Sequence, residues 1–203
     1  MANLDSTFRK FNERIKLTDS KREDLRNARD VLREKVSDYF KEEKPDYDLD
    51  FKAQGSYVMD TIVNPINDDY DLDDGAYFLG SLSSDERPAP ATFHSWMIDA
   101  IGNHTGSVQD KNTCIRVIYA KGFHIDIPIY YRSFYEPELA HKAKGWILSN
   151  PIEFIIWFEE KTKSGFKMEY LFEADQQDNY KQWHEDMRKD DVQLRRIVRY
   201  LKA

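Results

Sequence analysis

Residues 68–78 read Asp68-Asp69-Tyr70-Asp71-Leu72-Asp73-Asp74-Gly75-Ala76-Tyr77-Phe78, five acids crowded into a run that otherwise alternates as a strand does. In an extended chain residues two apart point the same way, so Tyr70 and Leu72 take one face while Asp71 and Asp73 converge on the other. Neighbouring carboxylates repel. A loop relieves that by splaying, whereas a strand cannot, and bound divalent cations would relieve it instead. Oxygen ligands of this kind select hard ions such as Mg²⁺ or Mn²⁺. A solvated acidic turn is the competing reading of the same stretch.

Two features elsewhere weigh toward a metal site. Asp126 lies in Phe123-His124-Ile125-Asp126-Ile127-Pro128-Ile129, with the isoleucines on one face and His124, Asp126 and Pro128 on the other. An acid buried alone in so apolar a strand is costly unless a partner or a metal meets it. Gln54-Gly55-Ser56 stands between an extended segment, 47–52, and a short helix expected over 57–63. Glycine there lets backbone N–H groups approach an anion, and a serine hydroxyl adds a donor at a helix N-terminus. Gly-Ser pairs are common in ordinary turns. This one gains meaning from standing about 15 residues ahead of the paired acids.

The chain before this centre is helical, with a short segment over 7–15 and a longer one over 21–42. Ser20 and Glu23 form a capping box, and Leu25, Ala28, Leu32, Val36 and Tyr39 make one stripe. Lys44-Pro45-Asp46 ends the helix. Strand-like runs fill 47–131, interrupted by a helix over 91–103 whose Phe93, Met97, Ala100 and Ile101 share a face. Residues 114–120 and 123–131, joined through Lys121-Gly122, predict a hairpin. Ser149-Asn150-Pro151 opens a helix over 152–161. Residues 164–191 are polar and weakly periodic, a loop with a short helix around 180–187. The last helix is expected to bury Leu194, Ile197, Val198 and Leu201 and to carry Arg195, Arg199 and Lys202 as a basic stripe on the opposite face. Its pattern runs to Ala203 without a stop signal, so the expectation is either an abrupt end or a fragment.

Thirty basic against 37 acidic residues give a net charge of −7, which repels a phosphate backbone and argues against an extended nucleic-acid surface. A local pocket for a small anion stays open. Hydrophobic residues at 40%, with 12 Phe, 12 Tyr and 4 Trp, exclude a disordered chain. Cys114 is the one cysteine and cannot form an internal disulfide; it reads as a small core residue. The N-terminus lacks the apolar stretch of a signal peptide, and no run approaches the roughly 18 to 20 apolar residues that cross a bilayer. No membrane association is expected, and a reducing cytoplasm is the expected home.

A Gly-Ser turn with its helix, an Asp-x-Asp strand and a third Asp on a later strand are together similar to the polymerase-β-type nucleotidyltransferase pattern. More closely, Gln54-Gly55-Ser56 through Asp60-Thr61, then 70–77, 113–117 and 124–130, resemble the bacterial cGAS/DncV-like nucleotidyltransferases (CD-NTases), the oligonucleotide cyclases of antiphage CBASS systems. Gly145-Trp146-Ile147-Leu148-Ser149-Asn150-Pro151 and Trp157-Phe158 look like that family too. The resemblance implies an α+β fold, a polymerase-β-like core whose mixed, mostly antiparallel sheet is flanked by helices. It places a long N-terminal helix before the core, and a C-terminal helix that begins a helical region after it. Residues 1–45 would pack on the core, 46–150 would form it, and 151–203 would be the incomplete C-terminal helical part.

By the same resemblance Asp71, Asp73 and Asp126 are the catalytic residues and hold two ions, Mg²⁺ or Mn²⁺, with Asp126 meeting only the ion that activates a hydroxyl. Gln54, Gly55 and Ser56, with Arg199 and Lys202, would bind the phosphates of ribonucleoside triphosphates such as ATP or GTP. The product would be a cyclic or short linear oligonucleotide second messenger that activates a separate effector protein. Transfer to an RNA, protein or small-molecule acceptor, or nucleotide binding without catalysis, are the competing functions. His124 reads as a structural hydrogen-bonding residue, because hard ions rarely choose imidazole. Asp68, Asp69 and Asp74 are expected in solvent, Asp69 being the substitute ligand should the register slip by two.

Overall fold

The computed structural model describes residues 4–66, 69–133, 136–162 and 193–203. The loop and short helix expected over 164–191 lie outside these residues. Two helices open the chain, α1 (Asp5–Ile15) and α2 (Asp19–Glu43). Thr18, and not Ser20, caps α2, its side chain accepting the Lys21 N–H at 3.4 Å. The buried stripe of α2 is Leu25, Leu32, Val36 and Phe40, with Arg22 and Arg29 also turned inward.

Strand β1 (Asp48–Gln54), the one-turn helix α3 (Gly55–Val58) and β2 (Tyr70–Leu79) follow. Helix α4 (Pro90–Ile101) buries the expected Phe93, Met97, Ala100 and Ile101. Next come β3 (Val108–Asp110), the hairpin of β4 (Cys114–Tyr119) and β5 (Phe123–Arg132), and a second hairpin of β6 (Glu138–His141) and β7 (Gly145–Leu148). Helices α5 (Pro151–Thr162) and α6 (Gln193–Lys202) complete the described elements. Asn150 caps α5, accepting the Glu153 N–H at 3.2 Å.

The sheet runs β1-β2-β5-β4-β3, with β6 beside β5 and β7 beside β6. Only the β2–β5 pairing is parallel; the others are antiparallel. β5 is central and buried along nearly its whole length, which is why its sequence is an almost continuous apolar run. β4 accompanies it as far as Pro128, which has no N–H to donate, and β6 takes over at Tyr130. Helices α2 and α4 cover one face, where Phe40, Phe78 and Phe93 meet edge to face at 4.9 and 4.8 Å. Each such ring contributes about 1.5–3 kcal/mol of burial. The opposite face carries Asp71, Asp73 and Asp126. The expected α+β architecture is the one observed. Among the described residues no helix is long and apolar enough to cross a membrane.

Candidate active site

The parallel register of β2 and β5 places Asp73 opposite Asp126 and Asp71 opposite His124. Tyr70 and Leu72 are buried and Asp71 and Asp73 half-buried, as strand alternation requires. Asp73 feels its neighbours most. Burial first, then the charges of Asp71 and Asp126, push its carboxyl up to about 7, against the opposing pull of Arg116 and Lys202. A site with so much unbalanced negative charge fits a dication, which would favour the ionised form. One ligand atom from each of Asp71, His124 and Asp126 lie within 4.8 Å of one another, so the donor set is compact enough to share an ion.

Gln54 pairs with Asp73 across β1 and β2, so the turn that follows it begins beside the carboxylates. Gly55 has φ +70°, and a Cβ there would stand 2.1 Å from Asp73 Oδ2. Turn and acid are packed as one unit that only glycine allows. The Ser56 carbonyl accepts the N–H groups of Thr61 and Ile62 at 2.9 and 3.1 Å, fastening α3 to the segment behind it. The Gln54 side chain departs from its expected role. It is buried, donates to Tyr130 Oη at 3.1 Å and accepts from Tyr77 Oη at 3.2 Å, beneath two tyrosine rings stacked at 4.6 Å. Two hydroxyls already satisfy it, so it supports the turn from below.

Asp126 has the partner its apolar strand demands, and that partner is Arg116. From β4, Arg116 donates through Nε to Oδ1 at 2.8 Å and through Nη2 to Oδ2 at 2.7 Å. Sequence reading missed it, although the hairpin turn carries the signal: pairing Tyr119 with Phe123 necessarily pairs Arg116 with Asp126. Asp74 is likewise not in solvent. It points to the helical face with Leu72, where Arg33 of α2 grips both its oxygens at 2.7 and 2.5 Å. Asp69 does remain exposed, and Asp68 lies outside the described residues. Cys114 is buried as expected, and burial pushes its thiol up to about 12, which leaves it unreactive.

Helix α6 is turned over relative to expectation. Arg195 and Arg199 are fully buried, while Leu194, Ile197 and Leu201 are exposed, Leu201 by 84%. The reason is the polarity of what lies beneath. Arg195 donates to the Met59 carbonyl at 3.1 Å and pairs with Glu159 of α5. Arg199 donates to the Asp60 carbonyl at 2.6 Å and to Asn12 Oδ1 at 2.9 Å. Asp60 itself sits at φ +52° and is also paired with Arg22 of α2. Arg199 therefore braces the segment behind the Gly55 turn, which corrects its expected place among the phosphate ligands. Lys202 is different. Its Nζ donates to the Thr61 carbonyl at 3.2 Å, and although burial lowers its pKa, Asp71 and Asp73 both act to keep it charged.

Residues 49–130, from β1 to β5, match the family model described as "Cyclic GMP-AMP synthase DncV-like, nucleotidyltransferase domain". That span contains Gly55, Asp71, Asp73 and Asp126. A cyclic GMP-AMP synthase of Escherichia albertii is 25% identical over 181 residues, covering 86% of this chain. The chain spans 34% of that relative's length. Among solved structures, the CD-NTase CdnG of Bradyrhizobium diazoefficiens in complex with GTP superposes with a TM-score of 0.66 at 22% identity, over 79% of this chain and 47% of that one. The di-nucleotide cyclase (DncV) of Vibrio cholerae, as a mutant in complex with ATP and GTP, also gives 0.66, at 18% identity over 75% and 60%. These likenesses carry the fold. The family model spans the turn and the carboxylates, so this part of the chain is similar to the nucleotidyltransferase domain of the DncV-like cyclic GMP-AMP synthases.

Proposed function

We propose that this chain carries the nucleotidyl-transfer site of an enzyme that joins ribonucleoside triphosphates into a cyclic or short linear oligonucleotide. The observation that carries this reading is the register of β1, β2 and β5. It sets Asp73 between Asp126 and the Gly55 turn, so that a triphosphate at the turn would lie against the carboxylates. Asp71, Asp73 and Asp126 would hold two divalent ions, Mg²⁺ or Mn²⁺. These ions would supply charge neutralisation at the phosphates and acidify the attacking ribose hydroxyl.

The residues of the chain have separable tasks in this scheme. The Gly55–Ser56 backbone receives the phosphates, and Lys202, whose charged form Asp71 and Asp73 favour, adds positive charge beside them. A ribose oxygen attacks the α-phosphorus in line, its O–P bond forming as the bond to pyrophosphate breaks, and its proton leaves to solvent or a carboxylate. Asp126, aimed by Arg116, faces the hydroxyl side, while the Gln54–Tyr77–Tyr130 layer keeps the turn at a fixed height. Residues 46–150 act as the catalytic core in this reading, with 1–45 bracing it and 151–203 contributing α5 and α6 to the nucleotide side.

The relatives' names point to ATP and GTP as substrates, and a net charge of −7 disfavours an RNA acceptor. The same likeness supports a cytoplasmic signalling role in antiphage (CBASS) defence, with the product acting on a separate effector. Mass spectrometry of the products after incubation with four ribonucleotides and Mg²⁺ or Mn²⁺ tests the reading. A phosphatase-resistant oligonucleotide without added acceptor is expected; product formed only when an acceptor is supplied contradicts it.

A further inference from the structure

The His124 imidazole is nine-tenths buried, and its Nε2 has no hydrogen-bond partner among the described residues. It shares the site face of β5 with Asp126, two residues on, and the β2 register sets Asp71 across from it. Nε2 lies 3.9 Å from Asp71 Oδ2. That is too long for a hydrogen bond, yet it suits two ligands of one ion, which stand about 3–4 Å apart when each is about 2 Å from the metal. Ligand atoms of Asp71, His124 and Asp126 all fall within 4.8 Å of one another.

On the far side of the ring, Asp69 Oδ1 is 3.3 Å from Nδ1. Asp69 is the carboxylate placed to accept an Nδ1 proton when Nε2 is given to a metal, the arrangement that orients metal-bound histidines. The Arg116 grip on Asp126 does not block this arrangement, since each carboxylate oxygen has a second lone pair. Imidazole is a borderline donor that suits transition ions better than Mg²⁺.

We propose that His124 binds a divalent cation through Nε2 together with Asp71 and Asp126. Asp69 is the positioning residue behind the ring, and the mixed nitrogen–oxygen set favours Mn²⁺ over Mg²⁺ at this position. The proposal rests on the reading that these carboxylates hold divalent ions, and it adds a ligand and a preference that the carboxylates alone do not supply.

Pulsed electron paramagnetic resonance of the full chain with Mn²⁺ alone tests it. The spin echo is expected to carry ¹⁴N modulation that converts to the ¹⁵N pattern when histidine is ¹⁵N-labelled. The modulation should vanish in His124→Gln, with Mn²⁺ affinity falling about tenfold or more and Mg²⁺ affinity falling less; Asp69→Asn should keep it while weakening Mn²⁺ about tenfold. Saturable Mn²⁺ binding that is lost in Asp71→Asn but shows no histidine nitrogen overturns this proposal and leaves the divalent-ion reading standing. No saturable Mn²⁺ binding at all overturns both. The unsubstituted chain alone decides the nitrogen question, so a poorly folding variant does not obscure it.

Discussion

The two halves of the site are built on opposite principles. On the carboxylate side, β2 and β5 turn Leu72 and the isoleucines to the core and Asp71, Asp73 and Asp126 to the site, so there the alternation of the sequence is the alternation of the structure. On the basic side, the sequence of α6 divides just as cleanly into an apolar and a charged face, yet Arg195 and Arg199 are buried while Leu194, Ile197 and Leu201 are exposed. What lies beneath decides which way an amphipathic element faces. The sheet meets the apolar stripes of α2 and α4, whereas α6 meets Asn12, Asp60, Glu159 and backbone carbonyls, which are polar. Periodicity therefore divides an element into faces but does not say which is inside.

The largest effect is expected where charge is removed from the face of α6 that the sequence assigns to solvent. Arg199→Met is expected to cost about 3–5 kcal/mol of stability, because it strips a partner from buried Asp60 and Asn12. Chemical denaturation measures it, and a loss below about 0.5 kcal/mol would mean that α6 is not anchored through this face. A step down in size is Gly55→Ala, which forces a side chain into a left-handed turn against Asp73. Backbone strain of about 1–3 kcal/mol is expected, with turnover falling further than stability, since the carboxylate must move.

Asp73 supplies a pH-dependent prediction. Its pKa is raised on folding, so its protonated form contributes stability below the unfolded value, and that contribution is lost as pH rises toward about 7. Asparagine does not titrate. Asp73→Asn should therefore gain on the parent between about pH 4 and 7, reaching about 2 kcal/mol above that range once solvent screening is allowed for. Thermal melts across pH in the absence of divalent ions would show it, and parallel curves would refute it. The smallest effect belongs to Leu201→Ser, expected within about 0.5 kcal/mol because that side chain is exposed. A large loss there would restore the apolar face of α6 as its buried one.

Much of the fold was legible because it follows from local rules. The period-two runs, the hairpin about Lys121-Gly122 and the face of α4 all appear where the pattern puts them. The aspartates were legible for the same reason. Long-range pairing was not. The Arg33–Asp74 pair joins a helix to a strand 41 residues away, and no local pattern announces it. Gln54 shows a different limit, since its place before the Gly55–Ser56 turn says nothing about the two tyrosines from β2 and β5 that bond its side chain. Arg116 lay between these cases, readable from hairpin arithmetic once β4 and β5 are aligned. The hairpin of β6 and β7 escaped notice because strands of four residues carry too little alternation.

In the proposed function the carboxylates of β2 and β5 and the Gly55 turn act as one nucleotidyl-transfer site. Mg²⁺-dependent pyrophosphate release, compared between the chain and an Asp71→Asn, Asp73→Asn variant with a matching circular dichroism spectrum, tests it most directly. Release by the chain is expected, with a fall of about 10³-fold or more in the variant. Undiminished release by the variant would contradict it.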